Sequence, residues 1–150
     1  MRESTELSVD PFTMARARRR SRIRGRRILY VDDDLLMRLS VTRLLRGAGA
    51  VCIGTDTHDR AVVLLAFEPL IDLAILDFQM PDGDVGRLVQ RLLRQRPGLA
   101  LVGTSASDRR SEFAARGVDR FMAKPWTLDD LIHIADWSEA PGSRIAVSSP

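Results

Sequence analysis

Ile71-Asp72-Leu73-Ala74-Ile75-Leu76 is a short apolar run that ends on an acid, Asp77. Its apolar residues are nearly continuous rather than alternating, which marks a strand buried on both faces. Arg27-Ile28-Leu29-Tyr30-Val31 has the same character and ends in Asp32-Asp33-Asp34. Ala50–Ile53, Leu99–Val102 and Asp119–Ala123 read as three further strands. Stretches with helical spacing lie between them. Leu35, Leu36, Leu39, Leu44 and Leu45 mark the first helix face, which stops at Gly47 and Gly49. Asp59–Phe67 ends before Pro69; Asp84–Gln95 turns Val85, Leu88, Leu92 and Leu93 inward; Arg109–Arg116 stops at Gly117; Leu128–Trp137 closes the series.

Five strands alternating with five helices imply right-handed crossovers and a parallel sheet covered on both faces. The expected class is α/β. In such sheets chemistry collects beyond the carboxyl ends of the strands. Asp32, Asp33 and Asp34 follow the first strand, Asp77 the third, Thr104 and Ser105 the fourth, and Lys124-Pro125 the fifth. Clustered carboxylates repel one another unless a cation sits among them, and a hard ion with oxygen ligands, Mg²⁺, suits the need. Of 23 basic residues 22 are arginine; the one lysine, Lys124, stands beside the acids. Its compact ammonium can pair with a carboxylate or a phosphoryl oxygen.

These pieces together resemble the receiver domain of bacterial response regulators, in particular the chemotaxis regulators. The likeness covers about residues 26–137 and rests on Ile28-Leu29-Tyr30-Val31-Asp32-Asp33-Asp34, Leu76-Asp77-Phe78-Gln79-Met80-Pro81, Thr104-Ser105-Ala106 and Lys124-Pro125. It implies a flavodoxin-like, doubly wound sheet in the order 2-1-3-4-5. It also implies a role in a two-component phosphorelay: Asp77 accepts a phosphoryl group from the phosphohistidine of a histidine kinase or phosphotransfer protein. Asp33, Asp77 and the backbone carbonyl of Gln79 would hold Mg²⁺, with Asp32 helping through water. Lys124 would bind a phosphoryl oxygen, and Ser105, rather than Thr104, would hydrogen-bond the acyl phosphate. Phe121 takes the place of the switch aromatic, without a hydroxyl. The implied output face is the fourth helix, fifth strand and fifth helix, including Phe121 and Trp126, and a homodimer through that face is one arrangement the resemblance allows. The only chemistry expected is the domain's own phosphorylation and dephosphorylation.

Charge is divided sharply. Residues 1–27 carry +6 and residues 28–150 carry −3, so the basic character belongs to the leader. Residues 1–13 read as an appended tag, and Ala15–Arg27 as a solvated, disordered Arg-rich arm, giving a leader over 1–25, a domain over 26–137 and a flexible tail over 138–150. Without aromatic residues or a groove-reading motif beside the charge, nucleic acid is not the expected partner. The alternatives are a regulator binding nucleic acid through this arm, or a fragment of a hybrid histidine kinase. A phosphatase using Asp77 as nucleophile lacks an acid at residue 79. The short stretch after Trp137 favours a stand-alone switch. No apolar stretch approaches the length of a membrane span and no secretory signal is visible, so a cytoplasmic protein is expected.

The remaining residues have plainer readings. Cys52 lies in an apolar run as a small buried hydrophobe. Asp34 suits an N-cap, and His58 and His133 suit surface or boundary positions. Trp126 and Trp137 suit packing, and Lys124-Pro125 suits a cis bond. Asp84 is followed by Val85, where many receivers have glycine, which leaves the loop's route into the following helix open.

Overall fold

The computed structural model describes residues 9–134. Five strands, β1 (Arg27–Val31), β2 (Val51–Thr55), β3 (Leu73–Asp77), β4 (Ala100–Ser105) and β5 (Phe121–Ala123), form one sheet. Their order is β2-β1-β3-β4-β5, and every pair is parallel. This is the expected doubly wound, flavodoxin-like α/β fold. The helices are α1 (Pro11–Ser21), α2 (Leu35–Gly47), α3 (His58–Phe67), α4 (Val85–Gln95), α5 (Arg110–Ala115) and α6 (Leu128–Ile134).

The sheet separates two cores, and the two-residue period of the strands sorts the side chains between them. Ile28, Tyr30, Leu73 and Ile75 point to the layer that contains Val41 and Leu45 of α2 and Leu131 and Ile132 of α6. Leu29, Val31, Ala74 and Leu76 point the other way, onto Leu65 of α3, Leu88, Val89 and Leu92 of α4, and Phe113 of α5. Gly103 of β4 makes the second packing possible. A Cβ there would lie 2.6 Å from the Phe113 ring, well inside contact distance. Arg96 closes the far end of this layer by donating to the carbonyls of Leu65, Glu68 and Ile71.

Several expectations are corrected. The disordered leader gives way to a helix at Pro11–Ser21, and Ile23, expected outside the domain, is fully buried in the α2–α6 layer. This leader helix is additional to the five expected, and it lies against α6. On α2 the leucine-rich face points outward: Leu35, Leu36 and Leu39 are 58%, 74% and 53% exposed and Leu44 is exposed, while only Leu45 of that set is buried. The sequence holds two apolar stripes, and the one that packs is Met37, Val41 and Leu45, at strict four-residue spacing. His58 is buried, not a boundary residue, because Asp82 accepts its backbone N–H at 2.5 Å and lies 3.8 Å from its Nε2. Trp126 is buried against Tyr30, which bears out its packing reading and takes it off the output face. His133 is exposed, Cys52 buried and the Lys124–Pro125 bond cis, each as expected. Trp137 and the tail over 138–150 lie outside the described residues.

Candidate functional site

Because the strands are parallel, their carboxyl ends share one edge, and four of them deliver the site. β1 leads into Asp32, Asp33 and Asp34; β3 ends on Asp77; β4 ends on Ser105, with Lys124 just past β5. An open cavity of about 730 Å³ is lined by Asp32, Asp33, Asp77, Gln79, Ser105 and Lys124, among others. The expected site residues are therefore together, with the exception of Phe121, which lies buried behind the site against Phe113.

The cluster is polarised. Asp32, Asp33 and Asp77 each offer a carboxylate oxygen, all within 4.8 Å of one another, and Asp33 is the exposed member. Lys124 Nζ lies 2.8 Å from Asp32 Oδ2 and 3.3 Å from Asp77 Oδ1. Burial pushes the Asp77 carboxyl up to about 6; Lys124 opposes this, and the neighbouring charges of Asp32 and Asp33 add to it. Asp32 is more deeply buried, yet its carboxyl is held below the ordinary value. Burial raises it, but hydrogen bonds from Lys124, Tyr30 and the Asp34 backbone N–H together outweigh that. Burial alone would lower the Lys124 pKa; its bonds to the two carboxylates raise it instead. The result is a firmly ionised Asp32–Lys124 pair beside an Asp77 whose charge is costly.

The two hydroxyls at the end of β4 have separate employments. Thr104 Oγ1 donates to the Met122 carbonyl at 2.8 Å and is fully buried, whereas Ser105 lines the cavity. The route of the loop after β3 is also resolved. Gly83 adopts a φ of +137°, which a side chain rarely tolerates. Asp84 then caps α4, accepting from Gly86 N, and pairs with Arg116 Nε and Nη2, both at 2.9 Å. Arg116 and Arg109 also lie over the Phe78 ring, at 5.3 and 5.1 Å from its centroid. Asp34 caps α2 by accepting from Met37 N. Sequence reading missed Tyr30, whose hydroxyl donates to Asp32 Oδ2 at 2.6 Å. The signal available was a polar tip two residues before Asp32 in an otherwise aliphatic strand.

A doubly wound sheet that gathers three acids, a hydroxyl and one ammonium at its carboxyl edge defines a phosphoacceptor switch of the receiver class. The chain belongs to the response regulator receiver domain family, whose model matches residues 28–136. It is 30% identical over 125 residues to the transcriptional regulatory protein PdtaR of Mycobacterium tuberculosis, covering 82% of this chain and 57% of that protein. It is 29% identical over 113 residues to the phosphate regulon transcriptional regulatory protein PhoB of Escherichia coli, covering 72% and 49%. The chain thus spans about half the length of these relatives. Among solved structures it is similar to a CheY-like receiver domain protein of Methanospirillum hungatei, with a TM-score of 0.65 and 27% identity over 73% of this chain and 89% of that one. As a receiver domain it is a phosphoacceptor in a two-component system, and its chemistry is its own phosphorylation and dephosphorylation. No helix among the described residues is long and apolar enough to cross a membrane.

Proposed function

We propose that Asp77 is the phosphoacceptor, taking the group from the phosphohistidine of a histidine kinase or phosphotransfer protein. The observation that carries this is the position of Asp77: at the end of the central strand, buried, 3.3 Å from the chain's only lysine ammonium and within an all-oxygen donor cluster. An Asp77 carboxylate oxygen forms the new bond to phosphorus while the bond from phosphorus to the donor imidazole breaks, its electron pair returning to the ring nitrogen. Lys124 then pairs with a phosphoryl oxygen, and Ser105 donates its hydroxyl to another.

The donor set fits Mg²⁺. Its ligands are hard oxygens, and burial, with the added charges of Asp32 and Asp33, makes ionised Asp77 costly in a way that a divalent cation would relieve. Asp33, Asp77 and the Gln79 carbonyl would hold the ion, with Asp32 behind them. Bound there, Mg²⁺ would neutralise charge on the transferring group, the main requirement of phosphoryl transfer.

The outward leucines of α2 support a protein donor. Leu35, Leu36 and Leu39 begin immediately after Asp34, at the same sheet edge as Asp77, and offer an apolar footing for a helix that presents histidine. The output reading through α5, β5 and α6 is modified by α1, which occupies part of α6.

Incubation with Mg²⁺ and phosphoramidate should add the mass of one phosphate, with none added to Asp77→Asn. An unchanged wild-type mass with both phosphoramidate and acetyl phosphate would refute the assignment.

A further inference from the structure

Tyr30 lies outside the acidic cluster and the mechanism above makes no use of it, yet it touches that cluster directly. The two-residue period of β1 turns it into the α2–α6 core, where it is fully buried. Trp126 packs edge-on against its ring, with centroids 6.4 Å apart and an interplanar angle of 77°. The ring is thereby fixed, and its hydroxyl is delivered to Asp32 Oδ2 at 2.6 Å. The same oxygen accepts from Lys124 Nζ at 2.8 Å, while Asp32 Oδ1 accepts from Asp34 N at 2.9 Å.

This sharing has a chemical consequence. Asp32 is a carboxylate with no solvent exposure, so losing Lys124, its one cationic side-chain partner among the described residues, would leave a buried charge short of compensation. Phosphoryl transfer makes that demand, because Lys124 must turn from the carboxylates toward a phosphoryl oxygen. A neutral donor that stays on Oδ2 lowers the cost of releasing the ammonium. An apolar residue at position 30 would leave Oδ2 dependent on Lys124 alone.

We infer that Tyr30 is a positioning residue for phosphorylation: its hydroxyl holds Asp32 in place and satisfied, so that Lys124 is free to engage the phosphoryl group. The inference rests on the reading of Asp77 as acceptor and adds to it the means by which Lys124 is released.

Tyr30→Phe removes one oxygen and keeps the packing. At saturating Mg²⁺ its maximal rate of phosphorylation by phosphoramidate should fall by about tenfold, with the half-saturating donor concentration unchanged, since Tyr30 does not line the cavity. In a Lys124→Met background the same substitution should have no further effect, because the group it serves is gone. A wild-type rate in Tyr30→Phe, or an equal proportional loss in the Lys124→Met background, would overturn the inference.

A second measurement needs no substitution. Tyr30 is the only tyrosine in the chain, so biosynthetic 3-fluorotyrosine labels it alone. Its ¹⁹F resonance should move when phosphoramidate and Mg²⁺ phosphorylate the protein, and should stay in place under the same treatment of Asp77→Asn. A fixed resonance in protein whose mass shows the phosphate would refute the role of Tyr30. Labelled wild-type protein that takes up no phosphate would instead refute the acceptor assignment on which the inference stands.

Discussion

Replacing Asp77 by asparagine should stabilise the protein above neutral pH in the absence of divalent ions. In the folded state burial raises this carboxyl from 3.8 to about 6. The unfolded chain therefore loses the proton first as pH rises, and folding stability declines between those two values. The gap of roughly two pH units is worth about 3 kcal/mol at the standard conversion. Asparagine is close in shape and carries no charge to bury, while Lys124 keeps its bond to Asp32. The exchange also forfeits the weaker Lys124–Asp77 contact at 3.3 Å, so the net gain should be about 1–3 kcal/mol. For a domain of this size that is a rise in melting temperature of roughly 4 °C per kcal/mol. The assay is thermal unfolding of both proteins in EDTA from pH 3.5 to pH 8. The advantage of Asp77→Asn should nearly vanish at pH 3.5, below both values, where the wild-type carboxyl is mostly protonated in both states. It should grow to its full value above about pH 6–7. Equal melting temperatures at pH 8, or a gap that persists unchanged at pH 3.5, would refute the account of Asp77 as a strained charge.

Gly103→Ala should cost about 1–3 kcal/mol, because its Cβ meets the Phe113 ring at 2.6 Å and the ring is enclosed by the core. A urea midpoint equal to that of the wild type would show that the layer can move aside. Leu36→Asp changes a side chain that is 74% exposed, so stability should stay within about 0.5 kcal/mol of the wild type. Phosphotransfer from a phosphorylated histidine phosphotransfer protein should nevertheless slow by tenfold or more, with the phosphoramidate rate unchanged. Equal slowing with both donors would assign Leu36 to the chemistry rather than to docking.

The strands were legible because a doubly buried strand must be apolar throughout, and Ile28–Val31 and Leu73–Leu76 are so on both faces; their order followed from the resemblance to receiver domains. The acids were legible because each follows such a run. Helix orientation was not. Counting leucines on α2 selected Leu35, Leu36 and Leu39, whereas the sheet takes the sparser stripe of Met37, Val41 and Leu45. Hydrophobicity alone cannot say which stripe faces the core when another is reserved for a surface. The burial of His58 depends on Asp82, 24 residues away and brought near only by the crossing of β3. The hydroxyl of Tyr30 was hidden because an aromatic residue in a strand is adequately explained by packing. The leader helix escaped notice because a run of arginines carries no periodic apolar pattern, although Ile23, just after the helix, reaches the core.

The Arg116 guanidinium grips Asp84 at one end and lies over Phe78, so α5 is fastened to both ends of the loop that carries Gln79. A helix secured in this way is tied to the strand end that carries Asp77. A displacement of the loop would either carry α5 with it or break the Arg116–Asp84 ion pair and the contact with the Phe78 ring together. Arg109, stacked on the same ring from the start of α5, makes the coupling two-handed. Phe78, the residue next to Asp77, thus joins the end of β3 to both ends of α5.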